Sequence, residues 1–312
     1  MLVPMAQRAS AIAATAAWRD LYWWSNDGVR LHARVYDPPP GAGAAADQAA
    51  LPLLCLHGLT RNARDFDRLA PRLAEHRRVY ALDFRGRGDS GYAKDALSYV
   101  PLTYVQDVVA LLANQGIERF FAIGTSLGGV VTLLLAATQH GRVAGAVLTD
   151  VGPEIEAAGM ARIRAYLGQA VSFRTWVHAA RAVEQANAGV YPDWQLDDWL
   201  AMVKRSHRVT PEGRIVADYD SNIAAPFRVP GGGGAGVDLW PALDALAEVP
   251  VLVLRGAHSD ILSADTATRM VTRLPHAHLV TIPDVGHAPT LDEAEAISAI
   301  DALVAQAAQA AA

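Results

Sequence analysis

Hydrophobic and polar positions alternate in two ways along this chain. Between residues 21 and 36, two β-prone runs flank Asn26-Asp27-Gly28, a turn signal, so a hairpin of antiparallel strands opens the protein. Residues 37–50, rich in Pro, Gly and Ala, read as a surface loop. Beyond them, short apolar runs alternate with helix-length amphipathic stretches. The runs 53–57, 79–83, 120–124, 143–149, 251–255 and 278–282 are each followed by turn residues and predict buried strands. Helical periodicity falls in 65–75, 102–114, 127–139, 264–274 and 291–309. This alternation predicts the α/β class, with a mostly parallel central sheet flanked by helices.

The alternation stops between residues 151 and 237. Helical stretches carrying Tyr166, Trp176, Trp194 and Trp199 fill that segment, which ends in the glycine run 231–234. It reads as an insertion, so residues 1–150 and 238–312 are expected to form the core domain and 151–237 a separate helical piece. Aromatic residues in such a small layer are expected to pack more often than to line a pocket. The alanine-rich tail after Val304 reads as a fraying helix end.

The strongest chemical signal is Gly124-Thr125-Ser126-Leu127-Gly128-Gly129, between a predicted strand and a predicted helix. It matches G-x-S-x-G in the strand-turn-helix context that motif requires. A sharp turn holds the serine in a strained conformation, and glycines on either side avoid a Cβ clash. The hydroxyl then stands at the C-terminal edge of the sheet, beside a helix N-terminus. A plain Gly-Ser turn with Ser126 as an N-cap is the structural alternative.

A serine nucleophile needs a base held in one tautomer by a carboxylate. Of ten histidines, His287 follows the last predicted strand in Pro283-Asp284-Val285-Gly286-His287, on the same sheet edge as Ser126. Asp260, in the loop after 251–255, is the expected carboxylate on the chain order Ser, Asp, His. Asp150 competes, since it too lies past a strand end. The backbone amides of Leu127 and Leu59 are the expected oxyanion donors, with His57 bracing the Leu59 loop.

Taken together, His57-Gly58, the loop Asp83-Phe84-Arg85-Gly86-Arg87-Gly88, the turn 124–129, Asp260 and Gly286-His287 make the chain resemble the α/β-hydrolase family over nearly its full length. The resemblance implies the α/β-hydrolase fold, with 151–237 as a helical cap over the active site. It also hosts many reactions. A serine at the turn argues against the epoxide hydrolases and haloalkane dehalogenases of the family, whose nucleophile is an aspartate. Carbon-carbon bond hydrolases of ring-cleavage products also use serine. In those, a Gly-Pro-Gly-like stretch and a Trp usually stand where this chain has Leu59-Thr60-Arg61-Asn62 and Ala288.

Composition narrows the picture. Lys plus Arg number 27 against 32 Asp plus Glu, a net charge of −5 with no basic block, so nucleic acid is not an expected partner. The single cysteine, Cys55, lies in an apolar run and reads as a small buried hydrophobe, which fits a reducing compartment and a cytoplasmic location. Residues 1–17 are too weakly apolar for a signal peptide, and no run approaches the ~20 apolar residues of a membrane span. Gly86-Arg87-Gly88-Asp89-Ser90-Gly91 satisfies G-x-G-x-x-G, but no helix is predicted to begin within it, so no nucleotide is expected. No paired-Cys or H-E-x-x-H spacing suggests a metal, and no cofactor is expected. The expectation is a serine esterase acting on a small-molecule ester, with Arg61 and Asn62, just past the oxyanion strand, either at solvated surface positions or in contact with a polar acyl group. Carbon-carbon hydrolase, lactonase and non-enzymatic ligand receptor are the alternatives.

Overall fold

A computed structural model describes residues 18–39, 51–229 and 238–310. Residues 1–17, most of the predicted 37–50 loop and the glycine run 231–234 lie outside the described residues. The strands β1 (Arg19–Trp24), β2 (Arg30–Tyr36), β3 (Leu53–Leu56), β4 (Val79–Asp83), β5 (Phe120–Thr125) and β6 (Val143–Thr149) come first in the chain. After them come β7 (Ser172–Phe173), β8 (His207–Val209), β9 (Ile215–Ala217), β10 (Val251–Gly256) and β11 (Ala277–Ile282). Eight of these form one sheet in the order β1-β2-β4-β3-β5-β6-β10-β11. The β1-β2 and β2-β4 pairs are antiparallel and the remaining pairs parallel.

The fully apolar runs exist because both sheet faces are covered. Along β3, Leu54 and Leu56 join one hydrophobic core while Leu53 and Cys55 join the other, the two-residue alternation of a pleated strand. Cys55 is fully buried in the second core. The flanking helices are α1 (Leu69–Leu73), α2 (Pro101–Asn114), α3 (Leu127–Thr138), α9 (Ala264–Arg273) and α10 (Ala294–Ala310). The predicted helix 65–75 is instead a 3-10 turn, Ala63–Phe66, followed by the single-turn α1. Asn62 sets this start, because its side chain accepts from the Arg64 amide and diverts the chain into the tight turn. The alanine-rich tail continues α10 to Ala310.

Strand order reverses beside β3, with β4 on one side and β5 on the other. The loops after β3 and β5 therefore flank a topological switch point, where open α/β sheets place their ligands.

Between β6 and β10 the chain leaves the main sheet. It forms α4 (Ala157–Tyr166), α5 (Trp176–Asn187), α6 (Leu196–Ser206) and α7 (Ala225–Arg228), then returns through α8 (Trp240–Asp244). The segment is not purely helical. β7, β9 and β8 form a small antiparallel sheet, too short and too polar to announce itself as periodicity. A separate core holds it together, built from Ala179, Ala180, Tyr191, Trp199, Val203 and Ile215. Trp194 stacks on Tyr191 at 3.9 Å between ring centroids and meets Trp199 edge-on at 4.8 Å. Trp199 is 1% exposed, so its role here is packing.

Candidate active site

The turn after β5 is shaped by two contacts that exclude any Cβ. A side chain at Gly124 would lie 2.5 Å from the Gly128 carbonyl carbon, and one at Gly128 would lie 1.9 Å from the Leu56 oxygen. The spacing of glycines thus lets α3 start directly against the ends of β5 and β3. Ser126 sits between them at φ 52°, ψ −116°, a strained backbone for a residue with a Cβ. Its amide donates to the Thr149 carbonyl at 2.9 Å, tying the turn to the end of β6.

His287, five residues beyond β11, meets this serine. The Ser126 hydroxyl lies 2.9 Å from Nε2, while Nδ1 lies 2.8 Å from Asp150 Oδ2. A carboxylate can only accept, so Nδ1–H donates to Asp150 and Nε2 is left free to accept from Ser126. Asp150 is fully buried and accepts two further bonds, from the Gly256 amide at 2.8 Å and the Ser259 hydroxyl at 2.7 Å.

The expectation that Asp260 partners His287 is corrected by this geometry. Asp260 faces Arg162 on α4 in a bidentate pair of 2.6 and 2.8 Å, and its side chain is 35% exposed. The Arg162 hydrogen bond holds its carboxyl below the usual aspartate range. The reason lies in strand register. Thr125 pairs with Thr149 across β5 and β6, so Ser126 and Asp150 are the next residues on adjacent parallel strands. Asp150, like Ser126, has a positive φ, at 55°. Asp260 starts from β10, one strand further from β5, and lies four residues beyond its end.

On the other side of Ser126 stands the His57-Gly58-Leu59 loop. A Cβ built on Gly58 would be 3.7 Å from Ser126 Cβ, ordinary van der Waals contact, so the loop stands directly beside the serine. The Gly58 carbonyl accepts from His57 Nδ1–H at 2.7 Å and from the Arg61 amide at 3.1 Å. In a planar trans peptide this turns the Leu59 N–H the opposite way. His57 Nε2 accepts from the Phe84 amide at 3.0 Å, which fixes its tautomer. Complete burial lowers its pKa to about 4, so the ring is a neutral brace.

Two features were read too lightly from sequence. The G-x-G-x-x-G run starts no helix; Arg87 within it, and Asp83 before it at the end of β4, buttress the loop after β3. Arg87 Nε donates to the Leu59 carbonyl at 2.9 Å, and Asp83 accepts from the Ala63 amide at 2.6 Å. A Cβ at Gly88, where φ is +52°, would collide with the Asp83 carboxylate at 2.4 Å, which accounts for that glycine. Ser259 was missed altogether, although it sits next to the favoured Asp260. Asn62 is buried and structural, donating to the Arg205 carbonyl at 3.0 Å. His32, Asp83 and Asp89 cluster closely enough to suggest a cation site. Asp83 is already committed there, to His32 Nδ1 at 2.7 Å and to two amides.

The family model described as the alpha/beta hydrolase family matches residues 53–300. The chain belongs to this family. A relative from Cupriavidus necator described as a 3-hydroxybutyrate-oligomer hydrolase is 39% identical over 243 residues, 76% of this chain and 83% of that protein. A 2-(acetamidomethylene)succinate hydrolase of Mesorhizobium japonicum is 26% identical over 75% of this chain and 81% of its own. Among solved structures, an alpha/beta hydrolase from Novosphingobium aromaticivorans superposes with a TM-score of 0.87 at 54% identity, covering 93% of this chain and 99% of that one. This α/β hydrolase therefore has the fold of that family. Among its described residues no helix is long and apolar enough to cross a membrane.

Proposed function

We propose that this α/β hydrolase cleaves a carboxylic ester through an acyl-enzyme intermediate, with Ser126 as nucleophile, His287 as general base and Asp150 as the orienting acid. The observation that carries the reading is the unbroken chain from Ser126 Oγ through both His287 nitrogens to Asp150, at 2.9 and 2.8 Å. His287 takes the serine proton as Oγ attacks the ester carbonyl carbon. The tetrahedral oxyanion then lies between the Leu127 amide, at the start of α3, and the Leu59 amide, whose peptide is held from both sides. The imidazolium formed is stabilised by buried Asp150 and returns its proton to the departing alkoxide. Water repeats the sequence on the acyl-enzyme. These steps use only groups of the chain and call for no metal or cofactor.

Residues 151–237 act in this reading as a cap on the core formed by 1–150 and 238–312. Three contacts support it. The Gly286 amide donates to the Val190 carbonyl at 2.8 Å, the Tyr191 hydroxyl donates to the Ala288 carbonyl at 2.6 Å, and Arg162 grips Asp260. The insertion therefore meets the chain on both sides of His287. The 39% identity to a hydrolase of 3-hydroxybutyrate oligomers supports small esters of hydroxy acids as the substrates.

The test is Ser126→Ala, assayed with p-nitrophenyl butyrate and with a fluorophosphonate probe. Turnover should fall by ~10⁴-fold or more, as for a nucleophile that acts as a unit with its base. Labelling should vanish. Labelling that persists at another residue would overturn the assignment.

A further inference from the structure

The loop that carries His287 is held at its ends by the core and in its middle by the insertion. At one end the Val285 carbonyl accepts from the His258 amide at 2.9 Å, and at the other the Thr290 amide donates to Glu293 Oε1 at 2.8 Å. Between them, the Gly286 amide donates to the Val190 carbonyl at 2.8 Å and the Ala288 carbonyl accepts from the Tyr191 hydroxyl at 2.6 Å. Among the described residues, these two are the only hydrogen bonds that the backbone of Gly286, His287 and Ala288 makes. The core thus grips the His287 ring, through Asp150 and Ser126, but makes no hydrogen bond to the peptide units on which that ring is mounted.

Val190 and Tyr191 are firm supports. Their amides both reach back to the Asn187 carbonyl at the end of α5, at 2.8 and 3.4 Å. The Tyr191 ring is buried, stacked on Trp194 at 3.9 Å and set edge-on to Trp199 at 5.8 Å, so its hydroxyl has little freedom to move. Val285, the residue before Gly286, packs against the same aromatic core. Gly286 lets the two segments come this close, since a Cβ there would stand 3.1 Å from Val190 Cα. Burial pushes the Tyr191 phenol above its ordinary value, so it remains a donor wherever an ester can be assayed.

A general base must stay within hydrogen-bond reach of the proton it takes, and a misplacement of about 1 Å can cost ~10²-fold in rate. The two bonds to the insertion lie one residue before and one residue after His287, where they fix the direction in which its side chain leaves the backbone. Without the Tyr191 hydroxyl, the partly buried Ala288 carbonyl would lose its partner and turn to find another. We propose that Tyr191 is a positioning residue for His287: the insertion aims the general base, and kcat depends on this contact whatever the size of the acyl group. This rests on the serine-ester reading for the reaction, but the aim of the ring is measurable without turnover.

The test is Tyr191→Phe, which keeps the ring and its packing and removes only the hydroxyl. For p-nitrophenyl acetate and p-nitrophenyl butyrate alike, kcat should fall about tenfold with KM held, the scale of one lost hydrogen bond. The rate of fluorophosphonate labelling should fall by the same factor. The control Tyr92→Phe, which removes a phenol from an exposed side chain, should match wild type. The ring-nitrogen NMR shifts of His287 report the aim directly. Well separated in wild type, where Nδ1 carries the proton, they should draw together in Tyr191→Phe as the tautomers mix. Thermal melts establish that the variant is folded. Should it not fold, hydrogen exchange in wild type decides, since the Gly286 amide should open together with the Trp199 and Val203 amides of the insertion. A loss confined to KM or to the butyrate ester would make Tyr191 a substrate contact and overturn the proposal. So would an unchanged kcat or unchanged ring shifts in the folded variant, or a Gly286 amide that exchanges independently of the insertion. If wild type neither labels nor turns over either ester, the hydrolytic reading falls, and the ring shifts alone decide whether Tyr191 aims His287.

Discussion

The loops that follow β6 and β10 each bring an aspartate to the same edge of the sheet, yet the two acids live in different surroundings. Asp150 is the first residue past its strand, fully buried, and every one of its three donors belongs to the site: His287, Ser259 and the Gly256 amide. Asp260 is half-open to solvent and spends both oxygens on Arg162 of the insertion. Reach explains the difference. An acid one residue beyond the strand that neighbours the Ser126 strand points inward, whereas one four residues out on the next strand has been carried past the histidine. The β10 loop still contributes, since two of the three groups that hold Asp150 come from it, Gly256 and Ser259.

The comparison breaks most visibly by removing each acid in turn. Asp150→Ala should lower kcat/KM for p-nitrophenyl butyrate by roughly 10³- to 10⁴-fold, because His287 loses the partner that sets its tautomer and stabilises its charge. Asp260→Asn should change the same constant by less than about threefold, the scale of losing a solvent-open ion pair. The reverse ranking would return the acid's role to Asp260.

The sequence pointed to Asp260, whereas the aspartate hydrogen-bonded to His287 is Asp150. Both aspartates lie between Ser126 and His287, so chain order does not separate them. What separates them is the pairing of Thr125 with Thr149, a register that no single segment displays. The approach of Ser126 to His287 was legible because it depends on local signals: a glycine pattern forced by backbone contacts, and a histidine in the loop after the last strand. The parallel sheet was legible because β3, β4, β5, β6 and β10 are mainly apolar runs buried on both faces; the edge strand β11, expected to be buried as well, exposes His278 and Thr281 and buries only Ile282. The small sheet of the insertion was not, since strands of two and three residues carry no period. Trp199 was visible as an aromatic, but its place in the insertion's own core depends on Tyr191 and Trp194 packing against it.

Ser259 sharpens the comparison from the other side. It donates to Asp150 Oδ2, the oxygen that also receives His287 Nδ1–H, and its own oxygen accepts the Ile261 and Leu262 amides. Ser259→Ala removes one of three donors and leaves the aspartate less firmly aimed, a loss of about 1.5 kcal/mol, the low end of the range for a bond to a charged group. That corresponds to roughly tenfold in kcat. KM for the neutral ester should hold, and Ser259→Thr should recover much of the rate. A loss expressed mainly in KM would make Ser259 a substrate contact instead of a positioning residue.

The smallest effect concerns Asp260 and Arg162, the pair that binds the loop after β10 to α4. Because the Arg162 hydrogen bond depresses the Asp260 carboxyl, with burial opposing and the arginine's charge assisting, the folded protein holds this carboxylate charged at lower pH than the unfolded chain does. A depressed acid contributes stability that is fully present above the unfolded value of about 3.8 and is lost as pH falls through the lower, folded value. At neutral pH, Arg162→Gln and Asp260→Asn should each cost no more than about 1 kcal/mol, given how open the pair is to solvent. The double variant should cost no more than either single one, since the two residues share one interaction. Thermal melts from pH 7 down to pH 3 provide the check. The gap between wild type and variants should persist to about pH 4 and close only below it. A gap that closes near pH 6 would assign the contribution to a histidine, and a gap of several kcal/mol at pH 7 would mean that this latch, and not the buried Val190 and Tyr191 contacts, is what holds the insertion on the core.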